Sequence, residues 1–496
     1  MPNAFFDSVI ENYKNRDEVV LRFGAESALT GTEFLSSVEQ ASKKLRLAGL
    51  EFGDRIALES GPYSTYVVTV IASLAAGAIV VPINPNATQP EIDYVFGDAT
   101  PKFAFGSGAI FKAVAKELRY EQKEYQGVGN DLKVPAGCTL LTPEILSIEK
   151  LPISSTITYT SKIDAPSLIG YTSGTTGKPK GALLSLGNLY ASAKGLIKEW
   201  SWTRDDHLLH FLPLYHMHGL GVGLFGSLAA GSKITFLPRF AEDLLFESVA
   251  EEDISMIFGV PTIYERIARD LRLPELRKLR IMVSGSAPLP ADLFARLKEV
   301  LGDGPVERYG MTETVMNTSN PFIGVRKAGK VGRPLDGVSI KIAADGEVLV
   351  KGENVMNGYL GRPSANQEAF TVDGYFKTGD QGEIDDDGYL EIKGRKKDLI
   401  ISGGFNVYPK EVEAELRSYR GIRESAVVGR PSELWGEEVV AFIECDEEID
   451  VVDLREFLKQ RLSTYKVPKE ITIVEALPRN NLGKILYSQI RQNFQN

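Results

Sequence analysis

The chain has 496 residues, 43% hydrophobic and 25% charged, which is typical of a folded globular protein with about three structural units of roughly 150 residues each. The 66 acidic residues outnumber the 56 basic ones, and the net charge of −10 disfavours nonspecific binding to nucleic acid. The only two cysteines, Cys138 and Cys445, give no disulfide framework and fit a reducing compartment.

Neither a membrane span nor a targeting segment is evident in the sequence. The longest apolar stretch, residues 66–81, is shorter than the ~20 residues that cross a bilayer, and we interpret it as a buried helix running into a strand. The first residues lack a secretory or transit pattern, and the last residues match no peroxisomal or prenylation signal. We therefore expect a cytoplasmic enzyme with no membrane or nucleic-acid partner.

Short β-branched runs alternate with helical stretches over most of the chain. The clearest runs lie at residues 78–85, 233–238, 255–261 and 280–285, and each follows an amphipathic or small-residue helix. Strands that alternate with helices favour α/β layers around largely parallel sheets. The sequence therefore predicts a large α/β body.

The sequence changes character twice towards the C-terminus. Between residues 340 and 400, short strands are broken by Gly and Asp, which indicates a small antiparallel barrel or meander. From about Lys397 the order is strand, glycine turn, a helix that begins at Pro409, two strands and a further helix. We place a domain boundary there, which predicts an N-terminal domain over residues 1–396 and a smaller α+β domain over residues 397–496.

The segment YTSGTTGKPKG, residues 171–181, concentrates glycines, hydroxyl groups and two lysines directly after the strand-like SLIGY. Glycines let backbone N–H groups turn towards an anion, hydroxyls donate to phosphate oxygens, and lysines neutralise charge. The spacing differs from that of a Walker A loop, since Pro179 follows Lys178 where Ser or Thr is required. A flexible polar surface loop is the alternative to a phosphate-binding loop.

This segment resembles the phosphate loop of the adenylate-forming superfamily, which contains acyl-CoA synthetases, luciferases and adenylation domains. The resemblance continues in order through GSAP (285–288), RYGMTET (308–314), KTGD (377–380), GRKKDLIISGGFNVYPKEVE (394–413) and PRNNLGK (478–484). It implies two α/β sheet-helix subdomains plus a small β-barrel, followed by a mobile C-terminal lid. It also implies ATP, Mg²⁺ and coenzyme A as cofactor and co-substrates.

Carried over position by position, the resemblance implies a set of ATP and AMP contacts: Thr172, Ser173, Gly174, Thr175, Thr176, Gly177, Lys178, Lys180, Gly285, Ser286, Ala287, Arg308, Tyr309, Gly310, Met311, Thr312, Asp380, Arg395 and Lys484. Thr175 and Glu313 are the implied metal ligands, because a carboxylate beside a triphosphate needs a cation between them. Thr312 lies next to Glu313 in the same catalytic block.

The chemistry of adenylation agrees with these residues. A carboxylate must attack the α-phosphorus of ATP, so positioning and charge neutralisation of two anions have to supply most of the rate. Lys484 resembles the catalytic lysine that bridges carboxylate and α-phosphate, and a compact ammonium suits that role. Asp380 is suited to accept hydrogen bonds from the ribose hydroxyls, although an isolated Gly-Asp pair would more often cap a turn.

The thioester-forming step needs a path for the pantetheine arm of coenzyme A. Ser402, Gly403 and Gly404 provide a backbone strip that a narrow ligand could approach closely, and the resemblance places the coenzyme A path here. A tight glycine turn would explain the same residues. Lys397 resembles the hinge about which the lid rotates between the two half-reactions.

All four histidines lie close together in sequence, at His207, His210, His216 and His218. Such clustering resembles a zinc site, but neither cysteine lies nearby, and we predict no structural metal. By resemblance, His216 lies beside the acyl group and orients the incoming carboxylate. We expect the other three histidines to be packing or surface residues.

Within the superfamily, HFLPLYHMHGLGVG (210–223) and ERYGMTETVMNTSNP (307–321) look most like malonyl-CoA synthetases. A buried distal carboxylate needs a cationic partner, and a bidentate arginine is the usual one. Arg308 and Arg266 match the positions that hold this carboxylate, and Arg239 is a third candidate. A surface salt bridge is the alternative for each arginine. Met217 and Met316 would limit the size of a substituent at C2.

We therefore predict a malonyl-CoA synthetase that uses a small dicarboxylate and coenzyme A and acts as a monomer. One alternative is a ligase for another small acid, such as methylmalonate or oxalate. A second is an adenylation protein that loads the thiol of a carrier protein. A non-enzymatic ATP-binding regulator is disfavoured because Lys484, Asp380, Glu313 and Arg395 are all present.

Overall fold

The computed structural model describes residues 3–24, 27–106, 132–134, 138–141, 156–172, 179–402, 405–432, 435–479 and 484–492. The chain forms two compact units, one made of residues 1–339 and 350–376 and the other of residues 340–349 and 377–496. Our predicted boundary at Lys397 therefore lies inside the second unit. Within the described residues, no helix is long and apolar enough to cross a membrane.

The strands of the first unit are β1 (Val19–Phe23), β2 (Ser27–Thr30), β3 (Arg55–Glu59), β4 (Ile79–Ile83), β5 (Phe103–Phe105), β6 (Leu132–Val134), β7 (Cys138–Leu141), β8 (Pro166–Thr172), β9 (Lys180–Ser185), β10 (His207–His210), β11 (Lys233–Phe236), β12 (Met256–Gly259), β13 (Ile281–Ser284), β14 (Val306–Tyr309), β15 (Thr318–Ser319) and β16 (Arg333–Pro334). Its helices are α1 (Ala4–Tyr13), α2 (Gly31–Leu47), α3 (Ser64–Ala75), α4 (Gln89–Ala99), α5 (Leu186–Glu199), α6 (Phe225–Ala230), α7 (Glu242–Glu251), α8 (Pro261–Ala268), α9 (Ala291–Leu301) and α10 (Pro363–Ala369). A π-helix (His218–Leu224) precedes α6, and a 3₁₀ helix (Leu273–Lys278) follows α8.

These strands build two sheets. The nine-stranded sheet has the order β16-β15-β14-β13-β12-β10-β11-β1-β2, and its strands from β14 to β1 pair in parallel. The seven-stranded sheet has the order β6-β7-β5-β3-β4-β8-β9, with antiparallel pairs only at its two edges. The four β-branched runs that we singled out form β4, β11, β12 and β13, so the predicted α/β layers are confirmed.

The apolar core of the first unit explains why these runs become strands. All four residues of β12 and all four of β13 are buried, which is expected of central parallel strands covered by helices on both faces. The stretch at residues 66–81 forms the buried helix α3 and then β4, as predicted. Large aromatic side chains fill the spaces between sheets and helices, with Phe5, Trp200 and Tyr264 fully buried.

The second unit begins with a four-stranded sheet in the consecutive order β17-β18-β19-β20, formed by β17 (Val338–Ile342), β18 (Glu347–Gly352), β19 (Phe376–Ile384) and β20 (Leu390–Arg395). Strands β17, β18 and β19 each contain residues assigned to both units. A short 3₁₀ turn (Lys396–Asp398) follows β20.

The remainder of the second unit is a five-stranded sheet with helices. It contains β21 (Ile400–Ser402), β22 (Phe405–Val407), α11 (Pro409–Arg417), β23 (Ile422–Ser432), β24 (Gly436–Cys445), α12 (Val451–Lys459), β25 (Glu470–Ile473) and α13 (Tyr487–Gln492). Helix α11 begins at Pro409, as the fixed φ of proline at a first helical position predicts. The strand, the helix, the two strands and the further helix predicted for this region are confirmed, β22 was not predicted, and the predicted glycine turn at 403–404 lies outside the described residues.

Candidate active site

The predicted phosphate loop lies at the end of an antiparallel hairpin in the first unit. Strands β8 and β9 pair Thr172 with Lys180 and Tyr171 with Gly181. Thr172 and Lys180 are therefore at the mouth of the hairpin, while Ser173, Gly174, Thr175, Thr176, Gly177 and Lys178 lie outside the described residues.

Hydrogen bonds with other elements hold both flanks of the phosphate loop. The Tyr171 hydroxyl donates to Asp98 Oδ2 over 2.9 Å, and Arg362 donates to the other oxygen of Asp98 over 2.5 Å. On the other side, the Tyr94 hydroxyl donates to the carbonyl of Pro179 over 2.6 Å. The flanks of the loop are thus tied to α4 and to the segment that precedes α10.

Glu313, the predicted metal ligand, is buried and has a partner that the sequence did not indicate. The Tyr359 hydroxyl donates to Glu313 Oε1 over 2.9 Å, and Lys180 Nζ lies 5.2 Å from the centre of the same aromatic ring. Tyr359 therefore contacts both the carboxylate expected to bind metal and the lysine expected to bind phosphate. Its oxygen and those of Glu313 are the donor type that Mg²⁺ prefers.

Backbone pairing explains why Tyr359 lies here. Tyr359 forms an isolated antiparallel bridge with Ala182, and Leu360 N donates to the carbonyl of Gly181 over 2.8 Å. Residues 357–360 thus extend the edge of β9, directly beside the phosphate loop. The signal in the sequence was a lone Gly-Tyr pair at 358–359, which is too common to indicate a site.

Arg308 is the most deeply buried cation of the predicted site. It is 4% exposed, and its Nε and Nη2 atoms have no hydrogen-bond acceptor among the described residues. Burial lowers the pKa of Arg308 to about 9, while the neighbouring Tyr264 opposes that shift. The guanidinium therefore stays charged at neutral pH, although no described residue accepts a hydrogen bond from its Nε or Nη2 atom.

Gly285 leaves the space that Arg308 occupies. A Cβ atom at Gly285 would lie 2.5 Å from Arg308 Cζ and 2.6 Å from Arg308 Nε, distances that no real Cβ atom tolerates. Ser284 pairs with Glu307 in the parallel ladder between β13 and β14. This pairing brings the next residues along the chain, Gly285 and Arg308, side by side. The GSAP and RYGMTET blocks are therefore joined at Gly285 and Arg308.

The rest of the GSAP block turns sharply after β13. Ser286 adopts a left-handed conformation with φ of 70°, and its Oγ lies 3.2 Å from His218 Nδ1, whereas Ala287 is exposed. A non-glycine residue with positive φ costs free energy and is often found at functional sites. The turn is closed by Glu307, whose Oε1 accepts from Leu289 N over 2.9 Å.

A second strained turn follows Glu313. Val315 has a φ of 52°, which is unfavourable for a β-branched residue. The side-chain amide of Asn354 donates to the carbonyls of Thr314 and Met316 on either side of it, over 2.8 and 2.9 Å. Gly310 packs against the same turn, since a Cβ there would lie 2.1 Å from the Val315 carbonyl oxygen. The turn that carries Glu313 is thus held by surrounding groups.

The remaining predicted nucleotide contacts of this block are partly exposed. Tyr309 ends β14 opposite Thr318, and Met311 is half-buried against the apolar core. Thr312 packs on β8, because a Cβ at Gly170 would lie 2.5 Å from Thr312 Cγ2. The strand that leads into the phosphate loop and the turn that carries Glu313 therefore approach each other here.

Two of the predicted acyl-site residues, His216 and Met217, directly precede the π-helix. Met217 and Met316 are buried at 8% and 1% exposure, and Gly221 lets Met217 and Val315 approach, since its Cβ would lie 3.3 Å from each. His216 precedes the π-helix, and its ring lies 4.4 Å from that of Tyr215. The π-helix was not predicted from the sequence.

Arg266 differs from Arg308 in its surroundings, since Arg308 is buried and Arg266 is exposed and paired. Tyr264 on α8 points into the core and donates to the carbonyl of Val283 over 2.7 Å. Arg266, two residues later on the helix, is 53% exposed, makes two hydrogen bonds of 2.6 Å to Glu242, and stacks on Phe240. Arg266 would have to leave Glu242 to hold a substrate. Arg239 is exposed in the turn after β11.

His207 and His210, both on β10, have structural partners in neighbouring elements. His207 Nε2 lies 2.9 Å from Thr235 Oγ1, and His210 Nε2 lies 2.9 Å from the carbonyl oxygen of Gly219. Burial lowers the pKa of both rings to about 4, so they are neutral at physiological pH.

The second unit brings together Asp380 and Arg395. The two residues are partners in the antiparallel ladder between β19 and β20, and Arg395 Nε lies 2.7 Å from Asp380 Oδ1. Asp380 is buried at 3% exposure and Arg395 is exposed. The predicted ribose ligand and the predicted ribose-phosphate ligand therefore form one ion pair.

The predicted lid residues of the second unit differ in their exposure. Lys484 and Lys397 are exposed, and Lys397 lies in the 3₁₀ turn after β20. Ser402 is buried at the end of β21 and pairs with Phe405 across the turn. Gly403 and Gly404, the predicted coenzyme A strip, lie outside the described residues.

Sequence comparisons show that this chain is similar to AMP-binding enzymes and to CoA ligases. Residues 6–360 match the family model of the AMP-binding enzyme, and residues 411–484 match its C-terminal domain. The chain is 33% identical to a malonate–CoA ligase of Arabidopsis thaliana over 92% of this chain and 81% of that one. It is 34% identical to a feruloyl-CoA synthase of Amycolatopsis over 94% of both chains.

Solved structures with the same fold contain nucleotide. ATP-bound MatB from Rhodopseudomonas palustris superimposes with a TM-score of 0.91 at 34% identity, covering 100% of this chain and 99% of the other. The o-succinylbenzoate coenzyme A synthetase of Bacillus subtilis, in complex with ATP and magnesium ion, has a TM-score of 0.84 at 28% identity and covers 100% of both chains. The predicted fold class is confirmed by both.

Proposed function

Because the chain belongs to the family of AMP-binding enzymes, we propose that it joins malonate to coenzyme A with cleavage of ATP to AMP and pyrophosphate. Its relatives at 33% and 34% identity are CoA ligases or synthases, and the chain is an AMP-forming acyl-CoA ligase. These relatives differ in their acid, since one is a malonate–CoA ligase and the other a feruloyl-CoA synthase. The choice of malonate as the acid is therefore the more specific part of the proposal.

The observation that supports a dicarboxylate is the burial of Arg308 without an acceptor for Nε and Nη2 among the described residues. A buried cation without a partner costs several kcal/mol, and a carboxylate that accepts two hydrogen bonds from it removes that cost. A distal carboxylate of the substrate has the right charge and geometry. The aromatic tail of ferulate has neither, so it would leave Arg308 unpaired.

The first half-reaction joins the other carboxylate of malonate to the nucleotide. A carboxylate oxygen attacks the α-phosphorus of ATP, the bond to the β-phosphate oxygen breaks, and pyrophosphate leaves. In the proposed assignment Lys484 neutralises charge between the carboxylate and the α-phosphate, and Asp380 accepts hydrogen bonds from the ribose. His216 orients the incoming carboxylate.

Glu313 is the described residue that fits a metal. Its carboxylate is buried beside the flank of the phosphate loop and has oxygen donors, which suits Mg²⁺. When bound, Mg²⁺ would neutralise charge on the phosphates of ATP. Tyr359 holds the Glu313 carboxylate in place from the side of β9, and Thr175 is the second proposed ligand.

In the second half-reaction the thiol of coenzyme A attacks the acyl carbon of the malonyl-adenylate, and AMP leaves with the electrons of the broken C–O bond. Ser402, Gly403 and Gly404 are the proposed path for the pantetheine arm. Lys397 is the proposed hinge between domains at residues 1–396 and 397–496. The thiol of a carrier protein is the alternative acceptor.

The experiment that tests this function is AMP release by purified protein with Mg-ATP and coenzyme A across malonate, methylmalonate, succinate, acetate and ferulate. We expect malonate to give the highest kcat/KM, with acetate and ferulate at least tenfold lower. Repeating the malonate reaction with a carrier protein in place of coenzyme A identifies the acceptor. A higher kcat/KM for ferulate or acetate would contradict the dicarboxylate assignment.

A further inference from the structure

Three polar side chains of the second unit, one of them fully buried and two partly buried, form a closed hydrogen-bonded triad that the reaction does not use. Glu413 is fully buried on α11, and its Oε2 accepts from Lys410 Nζ over 2.8 Å. Its Oε1 accepts from the Tyr487 hydroxyl over 2.8 Å, and Lys410 Nζ donates to the same hydroxyl oxygen over 2.9 Å. The triad joins α11 to Tyr487, the first residue of α13.

The charges of the triad stabilise one another. Burial would lower the pKa of Lys410, but the Glu413 carboxylate and Tyr487 raise it above its ordinary value. Glu413 Oε1 also accepts from the backbone N–H of Val427 over 2.9 Å, which fixes the carboxylate against β23. A buried network in which each member has partners is rigid, because loss of one member leaves the others poorly satisfied.

Tyr487 lies three residues after Lys484. The two residues between them pair with the segment at Pro478 and Arg479. Ile485 forms an antiparallel bridge with Arg479, and Leu486 N donates to the carbonyl of Pro478 over 2.8 Å. Lys484 itself is exposed. The described backbone next to Lys484 is therefore held by this pairing and, one residue further, by the triad.

The opposite side of this pairing is also anchored. Leu477 N donates to Glu444 Oε1 over 2.7 Å, and Arg479 Nη2 lies 3.3 Å from the same oxygen. At the far end of α13, Arg491 donates to Asp398 over 2.7 Å, in the 3₁₀ turn that contains Lys397. Helix α13 thus connects residues 484–487 with the 3₁₀ turn that contains Lys397, the residue that we propose as the hinge.

We propose that Tyr487 is a positioning residue that holds Lys484 for adenylate formation, acting through its hydroxyl contact with Glu413 and Lys410. The inference rests on the proposed role of Lys484. Since that lysine serves only the first half-reaction, a loosened Lys484 segment should slow adenylate formation and leave thioester formation unchanged. A general structural role would weaken both half-reactions together.

The test variant is Tyr487→Phe, which removes one oxygen and keeps the ring in the apolar cluster with Ile485 and Ile490. Glu413→Gln is the second variant, since its amide keeps the volume and removes the charge. Tyr419→Phe is the matched control, because the Tyr419 ring packs on Phe457 in the same unit, away from the triad. Thermal unfolding of each variant reports whether the fold is intact.

Two assays separate the half-reactions. Acid-dependent exchange of labelled pyrophosphate into ATP reports adenylate formation, and conversion of a supplied synthetic acyl-adenylate with coenzyme A reports thioester formation. We expect Tyr487→Phe and Glu413→Gln to slow exchange about tenfold, the loss of roughly one hydrogen bond to a charged group. Thioester formation should change by less than twofold, and Tyr419→Phe should match the wild-type protein in both assays.

Equal slowing of both half-reactions in Tyr487→Phe, or wild-type exchange, would overturn the proposal for Tyr487. The Lys484→Ala variant tests the underlying assignment separately. Exchange should fall by several orders of magnitude in Lys484→Ala, and adding Tyr487→Phe to it should lower exchange no further. Full exchange in Lys484→Ala would refute the role of Lys484 and with it the proposed function of this segment, whatever the result for Tyr487→Phe.

Discussion

The hydroxyl of Tyr359 donates a hydrogen bond of 2.9 Å to the carboxylate of Glu313, and the ring of the same tyrosine lies under the ammonium of Lys180. One aromatic side chain therefore contacts two groups of opposite charge, the carboxylate that we propose for metal binding and the lysine that we propose for phosphate binding. The backbone pairing of Tyr359 with Ala182 of β9 determines its position. Tyr359 itself lies in neither of the motifs that contain Glu313 and Lys180.

We expect Tyr359→Phe to lower the affinity of the enzyme for Mg²⁺. Without the phenol, the buried Glu313 carboxylate loses a hydrogen bond, and a bond to a charged group contributes about 1.5–3 kcal/mol. The Mg²⁺ concentration for half-maximal pyrophosphate exchange should rise at least threefold, and calorimetry should show weaker binding of Mg-ATP. Tyr190→Phe, on α5, is the control and should change neither value. An unchanged Mg²⁺ dependence in Tyr359→Phe would contradict this account of Glu313.

Gly285→Ala tests the contact that leaves room for Arg308. The new methyl group would lie 2.5 Å from Arg308 Cζ, so the guanidinium must move from its buried position. We expect kcat/KM for malonate to fall at least tenfold, and the value for a monocarboxylate to fall less. Gly97→Ala on α4 is the matched control, since a Cβ at Gly97 meets no atom within 4 Å. Equal effects on both acids would argue against Arg308 as the carboxylate ligand.

Glu307 predicts a dependence of stability on pH. Burial raises its pKa from 4.5 to about 8, although the hydrogen bond from Leu289 opposes the shift. The folded protein therefore holds a proton that the unfolded chain releases, and this contribution to stability is lost as pH rises from about 4.5 to about 8.

The measurement is the thermal unfolding midpoint of the wild-type protein and Glu307→Gln between pH 5 and pH 9. Glu307→Gln should gain stability relative to wild type as the pH rises, by several degrees near pH 8, because its side chain never ionises. The exposed Glu299→Gln on α9 should run parallel to wild type. A constant difference between wild type and Glu307→Gln across this range would show that Glu307 does not titrate on folding.

Much of the fold was predictable from local sequence patterns. The β-branched runs became central strands because they can be buried on both faces, and Pro409 began a helix because its φ is already helical. The π-helix over His218–Leu224 was not predicted. Its glycines permit close contacts with other residues, and local sequence patterns do not show such contacts. Gly223, for example, leaves space for the His210 ring.

The candidate site was only partly predictable. The ordered motifs indicated Asp380 and Arg395, which the ladder between β19 and β20 places opposite each other. They could not distinguish Arg308 from Arg266, because burial and the presence of Glu242 depend on tertiary packing. Tyr359 escaped notice for the same reason, since its role depends on which strand its segment joins.

The central claim is that Arg308 receives the distal carboxylate of the substrate. It is tested most directly by kcat/KM of wild type and Arg308→Ala for malonate and for propionate, which has a methyl group in place of that carboxylate. Removing one member of a buried charged pair costs about 2–5 kcal/mol, so the malonate value should fall about 30-fold or more, while the propionate value stays within a few-fold.

Arg266→Ala is the companion variant. It should affect malonate much less, because Arg266 is half-exposed and paired with Glu242. If Arg308→Ala lost malonate and propionate activity to the same extent, or kept its preference for malonate, Arg308 would not be the group that selects a dicarboxylate.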